Sequence, residues 1–507
     1  MAIQLPLELW MHIAQYLKDD ISSLPKYSRV CRQWQPIFER LIYREVRVES
    51  EEFQAGKGII SLSWFHSLMS SPNQYRRPFL RRLHYKIIIP YRLQRYNAVK
   101  LETQLYREQN PVRKANNQAF SKAMRSLLEI LNAWEGSPKI GLVLEVHGRC
   151  ESLEPQTKQV QNAGDWRTIL DGNLWVVRPY RARFPDGDEM LPKVTCVDEL
   201  VIEYAPMTQG IWGGAALRIA KHCVALQRLH LDVQERVRPD HLDYIRQRRQ
   251  AVASALINLP PTLRVFELVA SSEEPWLNAL PALDLLSGIK TDELSLNLRT
   301  LSLNLKELKL SEVAVELDFL FPLDDAGAPT PGAQKLSWPY LEAIMLHSVP
   351  THLPSGEWLF DYEADSGDED ELPDPSTGFE MFEAAFMMDG WDVSRDQMRF
   401  DQFHRLFISL GHAARRMPCL KSISFRLASP PRSQFRFSSG RGGGDSSIGT
   451  PTLEFESDSG YKPDERVAAA WGFDVDEMEV EDFGPHDNYH TIWSTVKLDR
   501  FPPDNEI

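Results

Sequence analysis

From residue 197 onward the chain repeats one short apolar pattern, Leu-x-x-Leu-x-Leu or its equivalent, and nothing else in the sequence restricts the fold as strongly. It occurs as Val197-x-x-Leu200-x-Ile202, Leu226-x-x-Leu229-x-Leu231 and Leu263-x-x-Phe266-x-Leu268. It returns as Leu305-x-x-Leu308-x-Leu310, Leu341-x-x-Ile344-x-Leu346 and Leu420-x-x-Ile423-x-Phe425. Successive first positions lie 29, 37, 42, 36 and 79 residues apart, the last interval spanning two periods. The alternation inside each match is that of a strand with one buried face. Helical segments precede several matches, at 215–223, 245–259 and 403–417, and Pro260-Pro261 and Pro418 end two of them just before the strand. One strand and one helix per period make a unit that buries its apolar face only on its neighbours. The expectation is a stacked α/β architecture.

The first fifty residues follow a different rhythm. Leu5, Leu9, Ile13, Tyr16 and Leu17 fall along one face of a helix, with Pro6 in the first turn and Glu8 complementing the dipole. Ile21, Leu24, Tyr27, Val30, Cys31, Trp34, Ile37 and Phe38 recur at threes and fours, marking further short helices that Pro25 and Pro36 limit. So few residues cannot bury this many large apolar groups among themselves. Part of that surface is expected to meet another domain or another protein.

In order and spacing, Leu5-Pro6-x-Glu8-Leu9, Ile13, Tyr16-Leu17, Leu24 and Val30-Cys31-Arg32-x-Trp34 resemble the F-box motif, with Asp19-Asp20-Ile21 where many relatives have a proline-rich turn. The resemblance implies that Leu5, Pro6, Leu9, Ile13, Leu17, Leu24, Val30, Cys31 and Trp34 contact a Skp-type adaptor, and through it a cullin–RING ubiquitin ligase. It implies a non-catalytic substrate-recognition adaptor of an SCF-type (Skp–cullin–F-box) ligase that holds an unknown protein target on its repeats. The repeats resemble irregular leucine-rich-repeat-like regions, with longer spacing than the usual unit of about 20–29 residues and no asparagine ladder. The whole chain is similar to fungal F-box proteins in Trp338-Pro-x-Leu341, Ala413-Ala414-x-x-Met417-Pro418 and Phe435-Arg436-Phe437.

The expected fold class is therefore α+β or α/β: a three-helix F-box over 1–48, then an irregular leucine-rich-repeat-like solenoid. A connecting α/β segment over 49–190 separates the F-box from a repeat domain over 191–430, and a Gly/Ser-rich loop and capping segment fill 431–507. Within the repeat domain, residues 361–376 are acidic and poor in apolar side chains, as a disordered insertion is, and Ser366 suits an acidophilic kinase. Phe435-Arg436-Phe437 and Leu453-Glu454-Phe455 suit two strands joined across the flexible stretch 429–450. Trp471, Phe473, Phe483 and Trp493 suit a cap on the stack.

Between 76 and 100 stand eight basic residues, Arg76, Arg77, Arg81, Arg82, Lys86, Arg92, Arg95 and Lys100, with no acidic one. Tyr75, Tyr85, Tyr91 and Tyr96 interleave with them, a pattern that nucleic-acid binders share. Leu83, Tyr85, Ile87 and Ile89 alternate as a strand does, so the arginines read more simply as its solvated ends. The net charge of −14 also argues against a dedicated nucleic-acid binder. Phe120, Met124, Leu127, Leu128, Leu131 and Trp134 make a core helix stripe, followed by a buried strand at 140–146.

Five scattered cysteines, Cys31, Cys150, Cys196, Cys223 and Cys419, form neither a disulfide framework nor a zinc motif. The start lacks a basic leader region, and no run of about 18 apolar residues suggests a membrane span, so a cytoplasmic or nuclear protein is expected. No phosphate-binding loop, nucleophile elbow or His-Glu-x-x-His helix occurs. His486 and His490 lack a third ligand nearby. No cofactor and no metal are expected. The rival readings are a non-ligase interaction scaffold and nucleic-acid binding through 76–100.

Overall fold

Five of the six apolar triplets open on a turn and then run into a strand, which gives a spacing of three and then two, while Val197 already stands in its strand. In the computed structural model the first residue of a triplet closes a turn: the N–H groups of Leu226, Leu263, Leu305 and Leu420 donate to the carbonyls of Cys223, Pro260, Ser302 and Met417, at 2.9–3.1 Å. The chain then straightens, and the fourth and sixth residues point to the same side as the first. All three positions are buried in every one of the six matches. Burying one such side chain stabilises by about 1.5–3 kcal/mol, so each triplet is a local anchor.

The structure describes residues 7–17, 24–32, 34–51, 58–93, 110–134, 136, 138–152, 180–185, 187, 191–203, 209–235, 237, 242–270, 282–286, 291–361, 395, 397–428, 433–439, 452–457, 461, 463–472, 479–481 and 492–494. These form mixed α/β structure in two units, one ending at Leu231 and the other beginning at Asp232.

The first unit opens with three helices, α1 (Leu7–Tyr16), α2 (Leu24–Tyr27) and α3 (Trp34–Ile42). There follow β1 (Glu45–Glu49), β2 (Ile59–Ser61), α4 (Leu62–Met69), β3 (Arg82–Leu93), α5 (Pro111–Asn132) and β4 (Ile140–Ser152). The unit closes with β5 (Tyr180–Ala182), β6 (Val197–Ile202), β7 (Gln209–Ile211), α6 (Gly213–His222) and β8 (Arg228–Asp232). Its main sheet has the order β8-β6-β4-β3-β1-β2, with every pairing parallel. The buried rows are in register: Val46 faces Leu83, Leu83 faces Leu142, Leu142 faces Leu200 and Leu200 faces Leu229.

The second unit runs α7 (Leu242–Leu256), β9 (Val265–Val269), α8 (Glu293–Ser302), β10 (Glu307–Ser311) and β11 (Ala343–Val349). It continues through β12 (Phe360–Asp361), β13 (Gln397–Met398), α9 (Phe400–Ala414), β14 (Ser422–Leu427), β15 (Ser433–Ser438), β16 (Thr452–Ser457) and α10 (Glu465–Trp471). Strands β9, β10, β11 and β14 are parallel neighbours, with Phe266, Leu308, Ile344 and Ile423 in one row. Strands β15 and β16 then turn antiparallel, pairing Phe435 with Phe455 and Phe437 with Leu453. Trp471 of α10 packs its ring 5.5 and 5.3 Å from those of Phe435 and Phe437, and its Nε1–H donates to the Phe407 carbonyl at 2.9 Å.

The compact units divide after residue 231, and β4 and β6, on either side of residue 190, pair in one sheet. Within 49–190, β3 and β4 stand in the first unit's ladder between β1 and β6. Leu80-x-x-Leu83-x-Tyr85 carries the triplet, with Leu80 closing a turn onto the Arg77 carbonyl at 3.2 Å. Ser366 and most of 361–376, the loop at 440–451, and Phe473, Phe483, His486 and His490 lie outside the described residues.

Candidate functional site

The three N-terminal helices enclose a small core of Ala14, Leu24, Ile37 and Phe38, against which Trp10, Leu17, Tyr27 and Trp34 pack. The Trp34 ring meets Trp10 edge-on at 5.2 Å and lies 5.2 Å from Phe38. Trp10, Ala14 and Leu17 are spaced i, i+4, i+7, so they form the inward stripe of α1. Leu9, Ile13 and Tyr16 share that spacing one residue earlier, about 100° round the helix. That second stripe is 48%, 38% and 87% exposed. Val30, in the turn before α3, is 60% exposed, and Cys31 beside it is exposed as well. The Cys31 carbonyl accepts the N–H groups of Trp34 and Gln35 at 3.1 and 3.2 Å, starting α3.

A ten-residue helix that is apolar on two faces, only one of them covered by the described residues of its own chain, has the pattern of a docking element. The residues named from the sequence divide accordingly. Leu9, Ile13, Val30 and Cys31 face outward. Leu17 and Trp34 are half-buried in the cap's own core, and Leu24, 4% exposed, offers a partner no surface; its part is to hold the helices together. Leu5 and Pro6 lie outside the described residues. Tyr16 and Leu17, adjacent in sequence, belong to different faces, which a count of apolar spacings merges into one.

The cap is pinned to its own unit by a carboxylate. Glu39 of α3 is buried and accepts from Arg76 Nη2 at 2.9 Å, Tyr75 Oη at 3.1 Å and Gln35 Nε2 at 3.2 Å. The Arg76 guanidinium also lies 5.0 Å over the Tyr43 ring. The start of the basic run is thus spent on structure. Arg77 lies 5.2 Å over Trp134 and donates to the Met69 carbonyl, while Lys86 sits 3.6 Å from Glu49. Tyr85 is buried, donating to the Ala123 carbonyl at 3.0 Å, so it offers no stacking surface. Arg95, Tyr96 and Lys100 lie outside the described residues.

Among the described residues no group of three His, Cys, Asp or Glu side chains is arranged to hold a metal ion, and no helix is long and apolar enough to cross a membrane. Compared with known proteins, the chain matches no family model, no curated protein and no solved structure.

Proposed function

We propose that this chain is a substrate-recognition adaptor of an SCF-type ubiquitin ligase, docking a Skp-type adaptor on the outward stripe Leu9, Ile13 and Tyr16 together with Val30. The observation that supports it is the two-sided α1, whose inward stripe closes the cap while its outward stripe stays uncovered. The N-terminal cap is read as the F-box and the parallel ladders as an irregular leucine-rich-repeat-like solenoid. Bonded through Glu39 to the Asn73–Phe79 turn, the cap holds the docking face at a fixed angle to the first unit. A target on the repeat surface is then kept near a charged ubiquitin-conjugating enzyme reached through the cullin. Rate comes from raised effective concentration, with no side-chain chemistry on this chain. Such an adaptor works in the cytoplasm or nucleus.

The test is reconstitution with a Skp-type adaptor, cullin, RING subunit, conjugating enzyme and ubiquitin, following conjugates on the chain itself and on captured proteins. Wild type is expected to support conjugation, and Leu9→Asp/Ile13→Asp to lose it. Adaptor binding without conjugates would instead favour a non-ligase interaction scaffold.

A further inference from the structure

A cleft of about 540 Å³ opens in the first unit where β1, β3, β4, β6 and β8 begin. Three arginines on its wall are gathered by the backbone: the Arg44 carbonyl accepts the N–H groups of both Arg81 and Arg82, at 2.8 and 3.0 Å. All three side chains are exposed, and among the described residues none is paired with a carboxylate. Lys139 lies beside them, its Nζ on the Thr195 carbonyl. The floor is Gly141, whose N–H donates to the Arg81 carbonyl at 2.8 Å. A Cβ there would lie 2.9 Å from Glu199 Oε2, so the missing side chain keeps the floor open.

The carboxylates around the cleft do not neutralise these arginines. Glu45 is met by His84 at 3.0 Å, and Glu199 by Arg228 at 3.4 Å. Three guanidiniums on one cleft wall, none of them paired with a carboxylate among the described residues, leave their N–H donors to an oxyanion, which accepts them in pairs. We infer that this cleft binds an acidic protein segment, its carboxylate or phosphate oxygens bridging Arg44, Arg81 and Arg82. A single-stranded nucleic acid fits worse: among the described residues that line the cleft none is aromatic, so its bases would have no ring to stack on. The inference does not rest on the adaptor reading, because α1 takes no part in the cleft.

The test is fluorescence anisotropy on the full chain with no adaptor present, using four labelled probes of equal length. These are an Asp/Glu-rich peptide, a serine peptide with and without phosphate, and a single-stranded oligonucleotide. At least one acidic peptide is expected to bind, the unphosphorylated serine peptide not. Which acidic peptide binds more tightly assigns the oxyanion. Arg81→Gln/Arg82→Gln should weaken binding by about tenfold or more through loss of charge-assisted hydrogen bonds, with circular dichroism unchanged. Arg81→Glu/Arg82→Glu should abolish it. The inference is overturned if neither acidic peptide binds, if the glutamine variant binds like wild type, or if the oligonucleotide outcompetes both peptides.

Discussion

Asp292 shows how much a single side chain carries in this fold. It caps α8 through the N–H of Ser295 at 3.0 Å and takes both prongs of the buried Arg249 guanidinium. Burial opposes its ionisation, yet Arg249 and the Ser295 donors outweigh that and hold its carboxyl below the usual range. Asp292→Asn keeps a cap but strands a buried cation, so a loss of about 3–5 kcal/mol is expected in urea unfolding. Its carboxylate stabilises the fold above the ordinary carboxylate pKa, and that contribution is lost in acid as pH falls through its depressed value. Glu316 behaves oppositely. Burial first, then the nearby Asp292 and Asp318, push its carboxyl up to about 7. Between the ordinary carboxylate range and about 7 the folded chain binds the proton that the unfolded chain has released, so stability falls as pH rises through that window. Glu316→Gln is expected to flatten the profile; unfolding midpoints from pH 5 to 7.5 that decline equally in both proteins would contradict this. None of this is visible in the sequence, because pairing of carboxylates in space is not encoded in their spacing.

At the scale of elements, contacts between helices set the tolerances. Gly411 lets α9 approach α10 closely: a Cβ there would lie 2.7 Å from Trp471 Cδ1 and 2.9 Å from the Ala470 carbonyl carbon. Alanine gains about 1 kcal/mol of helix propensity over glycine, but overpacking costs about 1–3 kcal/mol. Because the contact includes backbone, Gly411→Ala is expected to lower the melting temperature, and a rise would show that α10 can shift. Trp338 is fully buried and its Nε1–H donates to Ser302 Oγ at 2.7 Å, tying the turn before β11 to the end of α8. Trp338→Phe leaves that hydroxyl without its donor, at a cost of about 1–3 kcal/mol by chemical denaturation. The triplets were legible because all three of their apolar positions are buried. The helix α8 was not: Leu294, Leu296 and Leu298 alternate as in a strand, and only Leu294 and Leu298, four apart, are buried. The strand β4 hid its kinship because its pairing with β6 slips between Ile140 and Gly141, removing one residue from the triplet spacing.

For the whole molecule, each unit carries a parallel ladder with a buried row in register, and helices return the chain between several of its strands. That plan was readable for the second unit and for the end of the first, where leucine fills the triplet. It was unreadable at β1, where Tyr43, Val46 and Val48 fill the same positions with different residue types. The apolar spacing of the first residues marked α1 as a helix, but periodicity alone could not divide it between a face that closes the core and a face left open. That division is the centre of the account, and one titration tests it. Calorimetry of a purified Skp-type adaptor into the full chain is expected to give a one-to-one complex for wild type. Leu9→Asp, on the open face, should lose binding while the melting temperature holds; Leu24→Ala, in the cap core, should lower the melting temperature first. No heat of binding from folded wild type, or full binding by Leu9→Asp, would contradict the account and leave α1 as a cap for its own chain alone.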